Sequence, residues 1–98
     1  MDEDKVVCRT PTPGRKPTRI DRWKYDAVRG AILAAVHTEG EGVLFQDLPL
    51  LVARGLSEDE KERLGSVTWY TTTVKLDLET RGELQRVQGA SPQRLLRG

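Results

Sequence analysis

The chain has 98 residues, a formal net charge of +1, one cysteine (Cys8) and one histidine (His37). That is enough for one domain around one core, and too few ligands for an internal disulfide or a zinc site of Cys and His side chains. A hydrophobic content of 37% is low, but counted with the nine glycines it comes close to that of an ordinary soluble protein and argues against general disorder; no apolar run approaches the roughly 18 residues of a membrane span, and the acidic start "MDEDK" is unlike a signal peptide, so a cytoplasmic protein is expected.

Charge is unevenly spread. Residues 8–29 carry Arg9, Arg15, Lys16, Arg19, Arg22, Lys24 and Arg29 against Asp21 and Asp26, whereas residues 37–65 hold seven acids and three bases. A basic region and an acidic one are therefore expected on a nearly neutral whole, which is either ordinary solvated surface or the footprint of a polyanionic partner.

Residues 1–17 contain three of the five prolines and read as an extended arm without a core of its own, although "KVVC" could add a short strand. At Thr18 the pattern changes. Thr18 and Asp21 are spaced as a capping box, and a first helix is expected from there to about Val36, with Ile20, Trp23, Ala27, Ala31 and Ala34 on one stripe and Tyr25, Val28, Ile32 and Val36 on the next. Gly40 and Gly42 end that region, and "GVLF" is a candidate strand. Asp47 can cap a second helix over "LPLLVARGL"; Ser57 and Glu60 form a capping box for the following segment, which Gly65 stops.

Ser66 can cap a third major helix running to about Arg81. Its three consecutive threonines favour a strand, but the apolar spacing of Val67, Tyr70, Thr71, Val74 and Leu78 suits one helical face better. After Gly82, "ELQRV" and "QRLLR" flank "QGASP" and read as a hairpin.

Helix, short strand, helix, helix, hairpin resembles the winged helix-turn-helix fold, and "VKLDLETRGELQRV" resembles the end of that family's third helix, with Leu78, Glu79 and Gly82 followed by Leu84 and Arg86 at the entry to the wing. "PTRIDRWKYDAVRGAIL" and "WYTTTVKLDLETRG" also look like a group of small bacterial winged-helix proteins. The resemblance implies a mainly α fold with a small β-hairpin, an arm over 1–17, a winged-helix domain over 18–98, and a DNA-binding or regulatory role.

On a helical wheel, Trp69, Thr73 and Leu76 fall opposite the core side of the third helix, so a cover is expected over them: the arm, a second copy of the chain in a homodimer, or another protein. Thr68, Thr72, Lys75 and Glu79 form a polar strip between. If double-stranded DNA is the partner, Ser66, Thr68 and Thr72 would meet phosphates or base edges and Lys75 a phosphate or guanine. Arg86 and Arg94 on the hairpin, with Arg15, Lys16 and Arg19 in the arm, would hold the backbone. If a protein is the partner, Trp69, Thr73 and Leu76 are the interface. Nothing brings Cys8 to His37 as a nucleophile and base, "EGEG" lacks the lysine and spacing of a phosphate loop, and Glu58, Asp59, Glu60 and Glu62 lack the spacing of a calcium loop. No enzyme, cofactor, metal or small-molecule ligand is expected.

Overall fold

The computed structural model describes residues 4–98; the first three residues of the expected arm lie outside the described residues. The chain runs β1 (Lys5–Cys8), β2 (Thr18–Asp21), α1 (Arg22–Ala35), β3 (Val43–Leu44), a single 3-10 turn (Phe45–Asp47), α2 (Leu48–Arg54), α3 (Glu58–Leu64), α4 (Val67–Arg81), β4 (Leu84–Arg86) and β5 (Arg94–Arg97). Four helices with two small antiparallel sheets make a mixed α/β globule rather than a mainly α one.

The arm departs most from expectation. β1 and β2 pair antiparallel from Lys5↔Asp21 to Cys8↔Thr18. Strand alternation turns Val6 and Cys8 inward to join Ile20 in the core and leaves Val7 outward. "KVVC" thus forms a strand, and the segment contributes to the core it was expected to lack. The first helix accordingly begins at Arg22, because pairing with β1 takes up Thr18–Asp21. The Thr18–Asp21 capping box does not form: Asp21 makes no cap bond, and its carboxylate receives Lys5 Nζ at 2.5 Å.

The later signals hold better. Ser57 and Glu60 form both bonds of the capping box (3.1 and 2.8 Å), and Ser66 accepts from the Trp69 N–H at 3.1 Å. Asp47 stands at the α2 N-cap position without a side-chain cap bond, since the 3-10 turn already leads the chain into the helix. Gly82 ends α4 in the left-handed conformation (φ 81°), and its N–H reaches the Leu78 and Glu79 carbonyls, a geometry an L residue would adopt with strain.

The expected C-terminal hairpin forms as β4–β5 and gains a third strand, giving the order β3-β5-β4. Gly42 permits this closure: a Cβ there would stand 2.9 Å from the Leu95 carbonyl oxygen. α1, α2 and α4 pack on one another around Val28, Ile32, Leu48, Val52, Val74 and Leu78, all fully buried, and Leu84 and Leu95 close the core from the three-stranded sheet.

Candidate functional site

Ser66 caps α4, and tertiary burial of one side overrides the strand preference of its threonines. Thr71, Val74 and Leu78 are fully buried and Val67 and Tyr70 pack beside them, as the apolar spacing requires. On the outer side Thr68 and Trp69 are exposed, and Thr72, Thr73 and Leu76 are half-buried. Trp69 keeps 47% of its surface in water, and Tyr70 meets it edge-on with ring centroids 4.8 Å apart.

Two residues on α4 alter the expected site. Lys75, expected to reach a phosphate or guanine, is only 2% exposed. Its Nζ lies 2.5 Å from Glu79 Oε2 and 4.5 Å from the centroid of the Phe45 ring, which the 3-10 turn lays against it. Burial lowers the Lys75 pKa from its usual value, while Glu79 opposes that shift. The ammonium therefore cannot serve as a surface contact. Glu79 also accepts from Arg86 Nε on β4 at 2.7 Å through Oε1, so one buried carboxylate binds α4 to the C-terminal hairpin. Arg94 on β5 donates from one guanidinium nitrogen to the Gly42 carbonyl at 3.0 Å.

The second residue is Asp77, to which the sequence pattern assigned no role. Its side chain is fully buried yet fully used: Oδ1 accepts from the Arg9 backbone N–H (2.9 Å), and Oδ2 accepts from the Tyr25 hydroxyl (2.6 Å) and Arg81 Nε (2.6 Å). The signal available was an acid on the core side of the α4 wheel beside Tyr70, a position where a carboxylate needs donors. Burial and the bond to Asp77 push the Tyr25 pKa up, and burial, then the Asp77 charge, pushes the Cys8 thiol up to about 11.

Both shifts set a pH dependence. Cys8 and Tyr25 keep their protons in the fold at pH values where the unfolded chain, with ordinary values of 9.0 and 10.0, releases them. At these two groups the folded state then binds more protons, so they lower stability as pH rises above about 9, against an opposite contribution from Lys75, whose pKa burial lowers. Urea unfolding of wild type and Cys8→Ala between pH 8 and 10.5 isolates the thiol: wild type should lose more stability than the variant over that range, and parallel profiles would contradict it. In the native state Cys8, 3% exposed, should also react with a thiol reagent far more slowly than in urea.

Asp77 and Glu79 are two residues apart and so point about 200° apart around α4. Asp77 faces the N-terminal hairpin and Glu79 the C-terminal hairpin. The outer side of α4, with Thr72, Leu76, Trp69 and Thr73, lies in the arc between them. It carries no charge. Beyond Asp77, Arg9, Arg15, Lys16 and Arg19 are exposed on the N-terminal hairpin and make no ion pair among the described residues. Of the expected basic contacts, Lys75 and Arg86 are thus held in ion pairs and Arg94 on a backbone carbonyl, whereas Arg15, Lys16 and Arg19 have no ion pair among the described residues.

The α3 acids make a solvated face: Glu58 pairs with Lys61 at 2.7 Å and Asp59 with Arg63 at 3.7 Å. Arg63 lies over the Trp23 ring at 4.8 Å, so this partly buried indole is sheltered by a cation rather than offered to a base. Among the described residues no helix is long and apolar enough to cross a membrane, and no group of three or more His, Cys, Asp or Glu side chains could hold a metal.

A family model described as "Family of unknown function (DUF6958)" matches residues 5–95. The chain belongs to that family. No curated protein and no solved structure matches it. The DUF6958 match begins at Lys5, where β1 begins, and ends within β5. The match thus takes in the N-terminal hairpin and all but the last two residues of the C-terminal one.

Proposed function

We propose that this chain is a non-enzymatic winged-helix module that contacts duplex DNA through the outer face of α4. The succession α1, β3, α2, α3, α4, β4, β5, with β5 lying between β3 and β4, supports the winged-helix reading. α3 and α4 then stand as the helix-turn-helix and β4–β5 as the wing.

The observation that carries the DNA reading is the uncharged outer face of α4 set between two hairpins that bear arginines. A helix about 10–12 Å across fills a major groove about 12 Å wide, and the phosphates of such a groove lie along both flanks of the helix. Hydroxyls and an indole facing the bases, with cations at the flanks, divide the labour as DNA contacts do: backbone contacts position and base contacts specify. Thr68 and Thr72 are assigned to base edges, Trp69 to a thymine methyl or sugar, and Arg86 and Arg94 to the backbone on the wing side. Lys75 drops out of the contact set, and Ser66 is engaged in capping.

The test is binding of a duplex library. Thr68→Ala with Thr72→Ala is expected to reduce discrimination between sequences while leaving the salt dependence unchanged. Retained discrimination would remove α4 as the reading element.

A second reading, a protein contact or homodimer through Trp69, Thr73 and Leu76, is favoured by the 47% exposure of Trp69. It predicts that Trp69→Ala converts a dimer to monomer in sedimentation equilibrium. A wild-type chain that sediments as a monomer at high concentration would count against the homodimer.

A further inference from the structure

We infer that the N-terminal hairpin is a second wing, a phosphate-gripping element that holds the DNA backbone on the flank of α4 opposite β4–β5. The inference rests on the DNA reading above and adds to it the element that supplies most of the electrostatic affinity.

Three observations carry it. From Arg9 to Ile20 the chain has four cations, Arg9, Arg15, Lys16 and Arg19, and no acid, and all four are exposed without an ion partner among the described residues. The wing side is poorer: Arg86 is held by Glu79 and Arg94 donates to a backbone carbonyl. The base of the loop is also anchored. β1–β2 pairing closes its base, Val6 and Cys8 root it in the core, and Asp77 accepts the N–H of Arg9, its first residue. Pro11, Pro13 and Pro17 limit the chain entropy that ordering the loop on a partner would cost.

Position decides what the loop meets. β1 starts where the Asp4 carbonyl accepts from the Arg22 N–H at the beginning of α1 and reaches Asp77 in the C-terminal half of α4. The loop leaves beside Asp77, which stands one helical turn beyond Thr73 on α4. A duplex with α4 in its major groove presents a phosphate strand along that flank of the helix, and four unpaired cations meet it. Asp77 is the positioning residue: it touches no phosphate and sets where Arg9 begins the loop.

The experiment is fluorescence anisotropy of a 20-base-pair duplex across salt concentrations, with the full chain and three variants. Combined Arg15→Ala, Lys16→Ala and Arg19→Ala, all at exposed positions, should flatten the plot of log affinity against log salt by about 2–3 units, near 0.9 for each phosphate no longer neutralised. Duplex binding with an unchanged slope overturns the second wing and leaves the α4 reading standing. A flattened slope with discrimination unaffected by Thr68→Ala and Thr72→Ala supports the second wing and removes α4 as the reader. No wild-type binding at low salt overturns both. Asp77→Asn, measured where circular dichroism shows it folded, separates positioning from charge: removing a negative charge alone predicts equal or tighter binding, whereas loss of the Asp77 anchor predicts weaker binding and a shallower slope.

Discussion

Asp77→Ala is expected to lower the unfolding free energy by about 3–5 kcal/mol, the range for removing one partner of a buried charged network. The cost comes from what the carboxylate leaves behind. The Tyr25 hydroxyl, in a side chain only 6% exposed, and the Arg9 N–H at the hairpin base both lose their acceptor. A buried donor without a partner costs about 1–3 kcal/mol. Arg81, with 46% of its side chain exposed, returns to water and adds little. For a domain of this size the sum corresponds to a fall in Tm on the order of 20 °C. Thermal unfolding followed by circular dichroism reads it directly, and a fall of only a few degrees would show that Asp77 does not anchor the hairpin. The penalty should shrink in a Tyr25→Phe background, where one of the stranded donors is already gone.

Glu79→Ala is expected to cost a similar amount for a different reason. Lys75 would keep its place, with 3% of its side chain exposed, and lose its carboxylate partner; the Phe45 ring alone cannot replace it. The pH dependence identifies the mechanism. Burial already holds the Lys75 pKa below 10.5, and losing Glu79 lowers it further. The unfolded state then binds the proton that the folded state sheds, so the stability deficit of the variant relative to wild type should narrow as pH rises toward 10.5. A deficit independent of pH would assign the loss to packing instead. Adding Lys75→Met to Glu79→Ala removes the stranded charge and should recover most of the stability, since a buried ion pair is often no better than a well-packed apolar pair of similar volume.

These two carboxylates have a common architectural effect. Asp77 ties α4 to the N-terminal hairpin and Glu79 ties it to the C-terminal one, so the helix and its two flanking hairpins are joined by charge as well as by the core. Each carboxylate is buried only because α4 carries it inward with donors supplied by other elements: Arg9 and Tyr25 for Asp77, Arg86 for Glu79. A hairpin held this way starts its cationic loop from a fixed place beside α4, which is what the proposed grip on a phosphate strand requires.

Local signals determined much of this protein by themselves. The Ser57–Glu60 box, the Ser66 cap, the Gly82 stop and the spacing of Thr71, Val74 and Leu78 lie within a few residues of their partners, so the boundaries of α3 and α4 and the buried side of α4 follow from the chain alone. The capping box at Thr18 and Asp21 was equally local and did not form, because β1, ten residues upstream, claims those residues for a strand, with two buried side chains to gain. Only tertiary structure could make that choice, as it alone brings residues distant in sequence together. It also decided the charges. On the wheel Lys75 sits at the edge of the polar strip and Asp77 at the edge of the core. Whether such an edge faces water or protein depends on Phe45, Tyr25 and Arg9, which lie 30 to 68 residues away and close over it. Thus the unpaired cations lie on the hairpin rather than on the helix, because burial depends on distant neighbours while helical spacing depends only on near ones.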